Sequence, residues 1–111
     1  MAYDEDLADR IRELLGGSTG VAEQKMFGGL AFLVGGNMAV AASGRGGLMV
    51  RTDPAEAERH LAAAGVEVME MRGREMRGWL RVDAVHLRTK RQLAKWVEVG
   101  MRYARSLPPK R

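Results

Sequence analysis

The stretch from Met71 to Arg81, MRGREMRGWLR, sets Arg72, Arg74, Arg77 and Arg81 around Trp79. Guanidinium groups grip phosphates through paired N–H donors, and an indole can stack on a nucleobase. The cluster therefore has the chemistry of an anion-, nucleic-acid- or partner-binding site. The same residues would equally suit a sheet in which Trp79 covers the surface and the arginines are solvated at a strand connection. The pattern matches no base-reading module.

Other reactive groups are scattered. His60 and His86 lie in different predicted elements, and neither has a second ligand one helical turn away, so no metal site is expected. Asp4, Glu5, Asp6 and Asp9 are dense but lack the glycine and terminal glutamate of a calcium loop. Ser18, Ser43 and Ser106 are the only serines, and none sits in a GxSxG elbow. Carboxylates such as Asp53, Glu67 and Asp83 have no evident reason to meet at a catalytic separation. The glycine runs fit neither a Walker loop nor a dinucleotide fingerprint: Gly44-Arg45-Gly46-Gly47 precedes a strand rather than a helix, so the helix dipole that holds an anion is missing. Arg45 offers at most a local anion contact. No catalytic role and no cofactor are expected, and the chain does not read as an enzyme.

The residues that must position any site read as one domain over residues 1–111, with 107–111 a frayed tail. An apolar fraction of 46% and a charged fraction of 29% suit a globular fold. With no cysteine, no signal-peptide pattern and no apolar run long enough to span a bilayer, a cytoplasmic protein with no membrane partner is the expectation. Charge is uneven. Residues 1–68 carry six Lys/Arg and ten Asp/Glu, whereas residues 69–111 carry twelve and four. A basic second part attracts nucleic acid or an acidic protein, or simply keeps a face solvated.

Asp4 caps a first helix whose apolar stripe is Leu7, Ile11, Leu14 and Leu15, stopped by Gly16-Gly17. Residues 18–22 read as a loop. EQKMF, LAFLV, NMAVAAS and LMVRT then read as short strands, divided by Gly28-Gly29, Gly35-Gly36-Asn37 and the Gly44 to Gly47 run. Asp53-Pro54 opens a second helix running to Ala64, with Glu56 placed for a capping box. VEVMEM and GWLRVD read as two strands joined by residues 72–77, with Leu80 and Val82 on one face and Trp79, Arg81 and Asp83 on the other. The last helix starts near Thr89, pairs Glu98 with Arg102, and ends about Ser106 before Pro108-Pro109. The order predicts an α+β domain: two layers, an antiparallel sheet with helices on one face, in the order α-β(3-4)-α-β(2)-α. Eight methionines either fill an irregular core or line an adaptable partner groove.

Several of these segments resemble one family. Lys25-Met26-Phe27-Gly28-Gly29-Leu30-Ala31-Phe32, Gly36-Asn37-Met38, Leu48-Met49-Val50-Arg51, Met76-Arg77-Gly78-Trp79, Trp96-Val97 and the closing Tyr103 to Pro109 are similar to the TfoX/Sxy N-terminal domain family, in its single-domain actinobacterial form. The resemblance implies an α–β(3)–α–β(2)–α domain like that of secretion chaperones. It also implies regulation of competence for DNA uptake, in concert with a cAMP-receptor-type transcription factor. The founding members carry a second, helical domain that these 111 residues do not contain. The family supplies no catalytic residues to transfer. Met26, Phe27, Gly28, Gly29 and Phe32 are its signature and read as structural.

The expected function is thus a small non-enzymatic regulatory and protein-interaction module. Its partner would be a transcription factor or a second copy in a homodimer. The alternative is direct nucleic-acid binding through the basic C-terminal half.

Overall fold

The computed structural model describes residues 3–26 and 28–109, with every side chain among them except that of Met71. Helix α1 (Glu5–Leu14) is followed by β1 (Val21–Met26), β2 (Gly29–Val34), β3 (Asn37–Ala42) and β4 (Leu48–Arg51). A 3-10 turn (Pro54–Glu56) leads into the short α2 (Ala57–Leu61). Then come β5 (Val66–Met71), β6 (Arg74–Val82), a second 3-10 turn (Ala84–His86) and the long α3 (Lys90–Ser106). The strands form one six-stranded antiparallel sheet in the order β1-β2-β3-β4-β6-β5. This is the expected α+β class, with four strands before the second helix, within the three to four expected and one more than the family resemblance implied.

Local chemistry sets the helix starts. Asp4 accepts the Leu7 amide at 3.1 Å, and Thr89 with Gln92 forms a reciprocal capping box. Arg10 ties α1 to the segment entering α3, donating to the Leu87 carbonyl at 2.7 Å. Arg12 makes a two-pronged contact with Glu23 at 2.7 and 2.8 Å, fastening α1 to β1. That contact holds the Glu23 carboxyl below its ordinary range and raises the Arg12 guanidinium above its own.

All three helices pack on one face. Leu7, Ile11, Leu93, Trp96, Val97 and Met101 meet Phe32, Val40, Val50, Leu80 and Val82 of the sheet. Burying each large apolar side chain contributes about 1.5–3 kcal/mol. A bulge at Ala39 shapes this layer: Phe32 pairs with Val40 and Leu33 with Met38, so Ala39 and Val40 both join the helix-side core. Gly100 of α3 rests on that bulge, where a side chain would collide with the Ala39 carbonyl.

Several local expectations are corrected. β1 begins at Val21, inside the expected 18–22 loop, and Phe27 lies outside the described residues. The second helix is shorter than expected: its first turn is 3-10, and α2 ends at Leu61, not Ala64. Asp53 caps that turn through the Ala55 amide, while Glu56 pairs with Arg59 instead of closing a box. Glu98 and Arg102 form no ion pair among the described residues. Residues 107–109, expected to fray, are tied down, because the buried Asn37 amide donates to the Pro108 carbonyl at 3.0 Å.

The largest correction concerns residues 72–77. Only Arg72 and Gly73 form the turn, with φ of 55° and 78°, the paired positive values of a two-residue hairpin. Arg74 to Val82 is then one continuous strand. Gly78 does not start it but bulges within it, at φ 83°, where its carbonyl accepts the Thr52 amide at 2.7 Å.

Candidate partner-binding groove

Among the described residues, no helix covers the second face of the sheet. Ala31, Met38, Ala41 and Met49 form a separate apolar cluster there, flanked by the half-buried Met26, Leu33, Met69 and Trp79. The alternation of strands puts them on this side: Met49 sits between the core-facing Leu48 and Val50, and Trp79 precedes the core-facing Leu80.

The non-sequential strand order makes the groove. Because β6 inserts between β4 and β5, Met49 stands opposite Arg81, and Arg81 stands opposite Glu67. The bulge at Gly78 lets Met69 pair with Met76, while Trp79 pairs with Arg51. The result is a groove of about 610 Å³ whose apolar floor is Met49, Met69, Met76 and Trp79. Its polar groups are Ser43, Arg45 and Arg81 toward the β3–β4 loop and Glu67 and Glu70 on β5.

Two of those polar groups are already engaged. The Ser43 hydroxyl accepts the Arg45 amide at 3.1 Å, and Arg81 donates to the Gly46 carbonyl at 3.1 Å. Both bonds brace the β3–β4 loop that carries Arg45. The other wall of Trp79 is cationic: the Arg51 guanidinium lies 5.1 Å from its ring centroid and 5.5 Å from that of Tyr103.

Of the cluster singled out in the sequence, Trp79 and Arg81 come together in the groove. Arg72, Arg74 and Arg77 are exposed on the hairpin and do not line it. Met26 flanks the apolar cluster, Gly28 turns the β1–β2 hairpin at φ 77°, and Gly29 and Phe32 are buried in β2. Sequence reasoning missed Met49, Met69 and Met76 as a group. Only Met49 carried a local signal, as the outward position between the core-facing Leu48 and Val50; Met69 and Met76 lie between residues outside the core, and strand pairing alone brings them to it.

A second hollow, of about 170 Å³, lies at the end of the helical layer among Thr52, Asp53, Glu56, His60, Arg102 and Tyr103. The His60 ring meets Trp96 edge-on, with centroids 5.6 Å apart. Burial, followed by the charge of Arg59, pushes the His60 imidazole below its ordinary pKa. Among the described residues no three His, Cys, Asp or Glu side chains are grouped to hold a metal ion, and no helix is long and apolar enough to cross a membrane.

The cationic stripe of α3, comprising Arg91, Lys95, Arg102 and Arg105, is exposed on the helical layer. Trp79 lies on the other side of the sheet. The two approach each other only at the last turn of α3, where Arg51 lies between Trp79 and Tyr103.

No curated protein matches the chain. The family model described as the TfoX N-terminal domain matches residues 13–104, from the end of α1 to the last turns of α3. The match takes in the whole sheet, including both strands of the groove hairpin, and covers most of the chain. This protein belongs to the TfoX N-terminal domain family.

Proposed function

We propose that this domain is a non-enzymatic regulatory module that docks on a partner protein through the helix-free face of its sheet. Membership of the TfoX N-terminal domain family supports a competence-regulator-like module; on this reading control of transcription would be the setting and a transcription factor the class of partner. One observation carries the reading: five methionines and a tryptophan gather on the single sheet face that the helices leave open. Flexible thioethers and an indole give an adaptable apolar surface, the composition of protein-docking sites.

The opposite placement of Trp79 and the α3 arginines speaks against a nucleic-acid interface built from both. Phosphate binding by the α3 stripe alone would be sequence-independent and steeply salt-dependent.

A photo-crosslinking residue at position 69, on the groove, and another at position 91, on α3, separate the two. The docking reading predicts one discrete protein joined at position 69 and none at position 91. Nucleic acid joined at position 91, with no protein at position 69, contradicts it.

A further inference from the structure

We infer that the open edge of β5 accepts an extended basic segment of the partner as a seventh strand, with a large apolar side chain of that segment filling the groove. This deepens the docking reading above and rests on it.

β5 ends the strand order, and its outward backbone groups have no hydrogen-bond partner among the described residues. An edge of this kind is a ready template for strand addition unless something blunts it. β5 contains no proline and no lysine, and the extra residues of its irregular pairing all lie on β6, so its own six residues run without a break. Side chains on alternate residues of an added strand would face the groove floor of Met69, Met76 and Trp79.

Charge selects the occupant. Glu67 and Glu70 are exposed on β5, and Glu75 on β6 stands directly opposite Glu70. None of the three enters an ion pair among the described residues, and the neighbouring Arg72 and Arg74 do not reach them in one either. Like charges directly opposite across two strands destabilise a sheet. An incoming lysine or arginine relieves that repulsion.

The other candidates fit less well. The β1 edge carries mixed charge, its Glu23 is already held by Arg12, and no β1 residue lines the groove. A second copy paired antiparallel through β5, centred between Val68 and Met69, would set Glu67 against Glu70 of the other copy.

The test uses the intact chain and a nine-residue peptide alternating lysine and valine with phenylalanine at its centre. Amide hydrogen exchange, read by NMR, should show at least tenfold protection of β5 amides on binding. A peptide with glutamate for lysine should give none. Methylating the peptide's alternate backbone nitrogens should abolish the protection, and the folded double variant Glu67→Gln/Glu70→Gln should bind the basic peptide at least tenfold more weakly.

Unprotected β5 amides at saturating peptide overturn the inference, as does equal binding of the methylated or acidic peptide. A protein that protects β5 by self-association at working concentration overturns it as well. If the crosslinker at position 69 still joins a partner while that partner leaves β5 amides unprotected, docking stands and strand addition falls. If position 69 joins nothing, the docking reading itself fails.

Discussion

Arg51 and Trp79 face each other across β4 and β6, with the guanidinium 5.1 Å from the indole centroid. The same guanidinium lies 5.5 Å from the Tyr103 ring, so one cation joins the rim of the open sheet face to the last turn of α3. A cation–π contact at a half-exposed site contributes about 0.5–1 kcal/mol. Arg51→Ala should therefore lower the midpoint of thermal unfolding by roughly 2–8 °C, reckoning 4–8 °C per kcal/mol in a domain near this size. Arg51→Lys should recover part of the loss, and thermal melts followed by circular dichroism check both. An unchanged midpoint in Arg51→Ala would remove the contact from the stabilising interactions.

Gly100 gives a test of sign. Alanine is the better helix former by about 1 kcal/mol, so an uncrowded site would gain stability from Gly100→Ala. Here the new methyl would collide with the Ala39 carbonyl and lie 2.7 Å from Val40 Cγ1. Overpacking of this kind costs about 1–3 kcal/mol. Urea denaturation should find the variant less stable; a gain would contradict the close seating of α3 on the bulge.

Asn37 is buried, and its amide holds the Pro108 carbonyl at 3.0 Å. Asn37→Ala should destabilise the domain by about 1 kcal/mol, the worth of one hydrogen bond to a part-buried group. The amide of Asn37 should also lose its side-chain NMR protection when the chain is shortened after Leu107. Unaltered stability and protection would mean that residues 107–109 are not docked.

His60 makes stability depend on pH. Its folded-state pKa lies below the ordinary value because burial disfavours the imidazolium. The unfolded state then binds the proton more tightly, so stability rises with pH. The full contribution is present above the unfolded pKa of about 6.5 and is lost as pH falls through the lower folded value. Urea denaturation between pH 8 and 5 should follow that slope, and His60→Gln should flatten it. Glu23 is distinct, since its depressed carboxyl acts only at more acidic pH. A slope unchanged in His60→Gln would assign it to another group.

Much of the framework was legible because single residues carry it. Asp4, Thr89 and the glycines at positions 28, 35 and 36 have one evident task each, and each performs it. The β5–β6 hairpin is hard to read in the sequence because the first of its two positive-φ turn residues is arginine, not glycine or asparagine, while the conspicuous Gly78 sits inside the strand. Glycine marks either a turn or a bulge, and only the partner strand distinguishes them. The groove was legible only in part. Trp79 and Arg81 are two residues apart on one strand face, whereas Met49 joins them through the insertion of β6 beside β4, a long-range pairing that no local pattern encodes.

If the partner docks on the helix-free face, as proposed above, and not on the basic face of α3, substitutions on that face alone should weaken binding. The direct test compares the affinity of the crosslinked partner for Met69→Glu and Met76→Glu with that for Arg91→Glu and Arg105→Glu, all confirmed folded by circular dichroism. The groove variants should lose at least tenfold in affinity while the α3 variants bind as the parent does. Loss confined to the α3 variants would contradict the account.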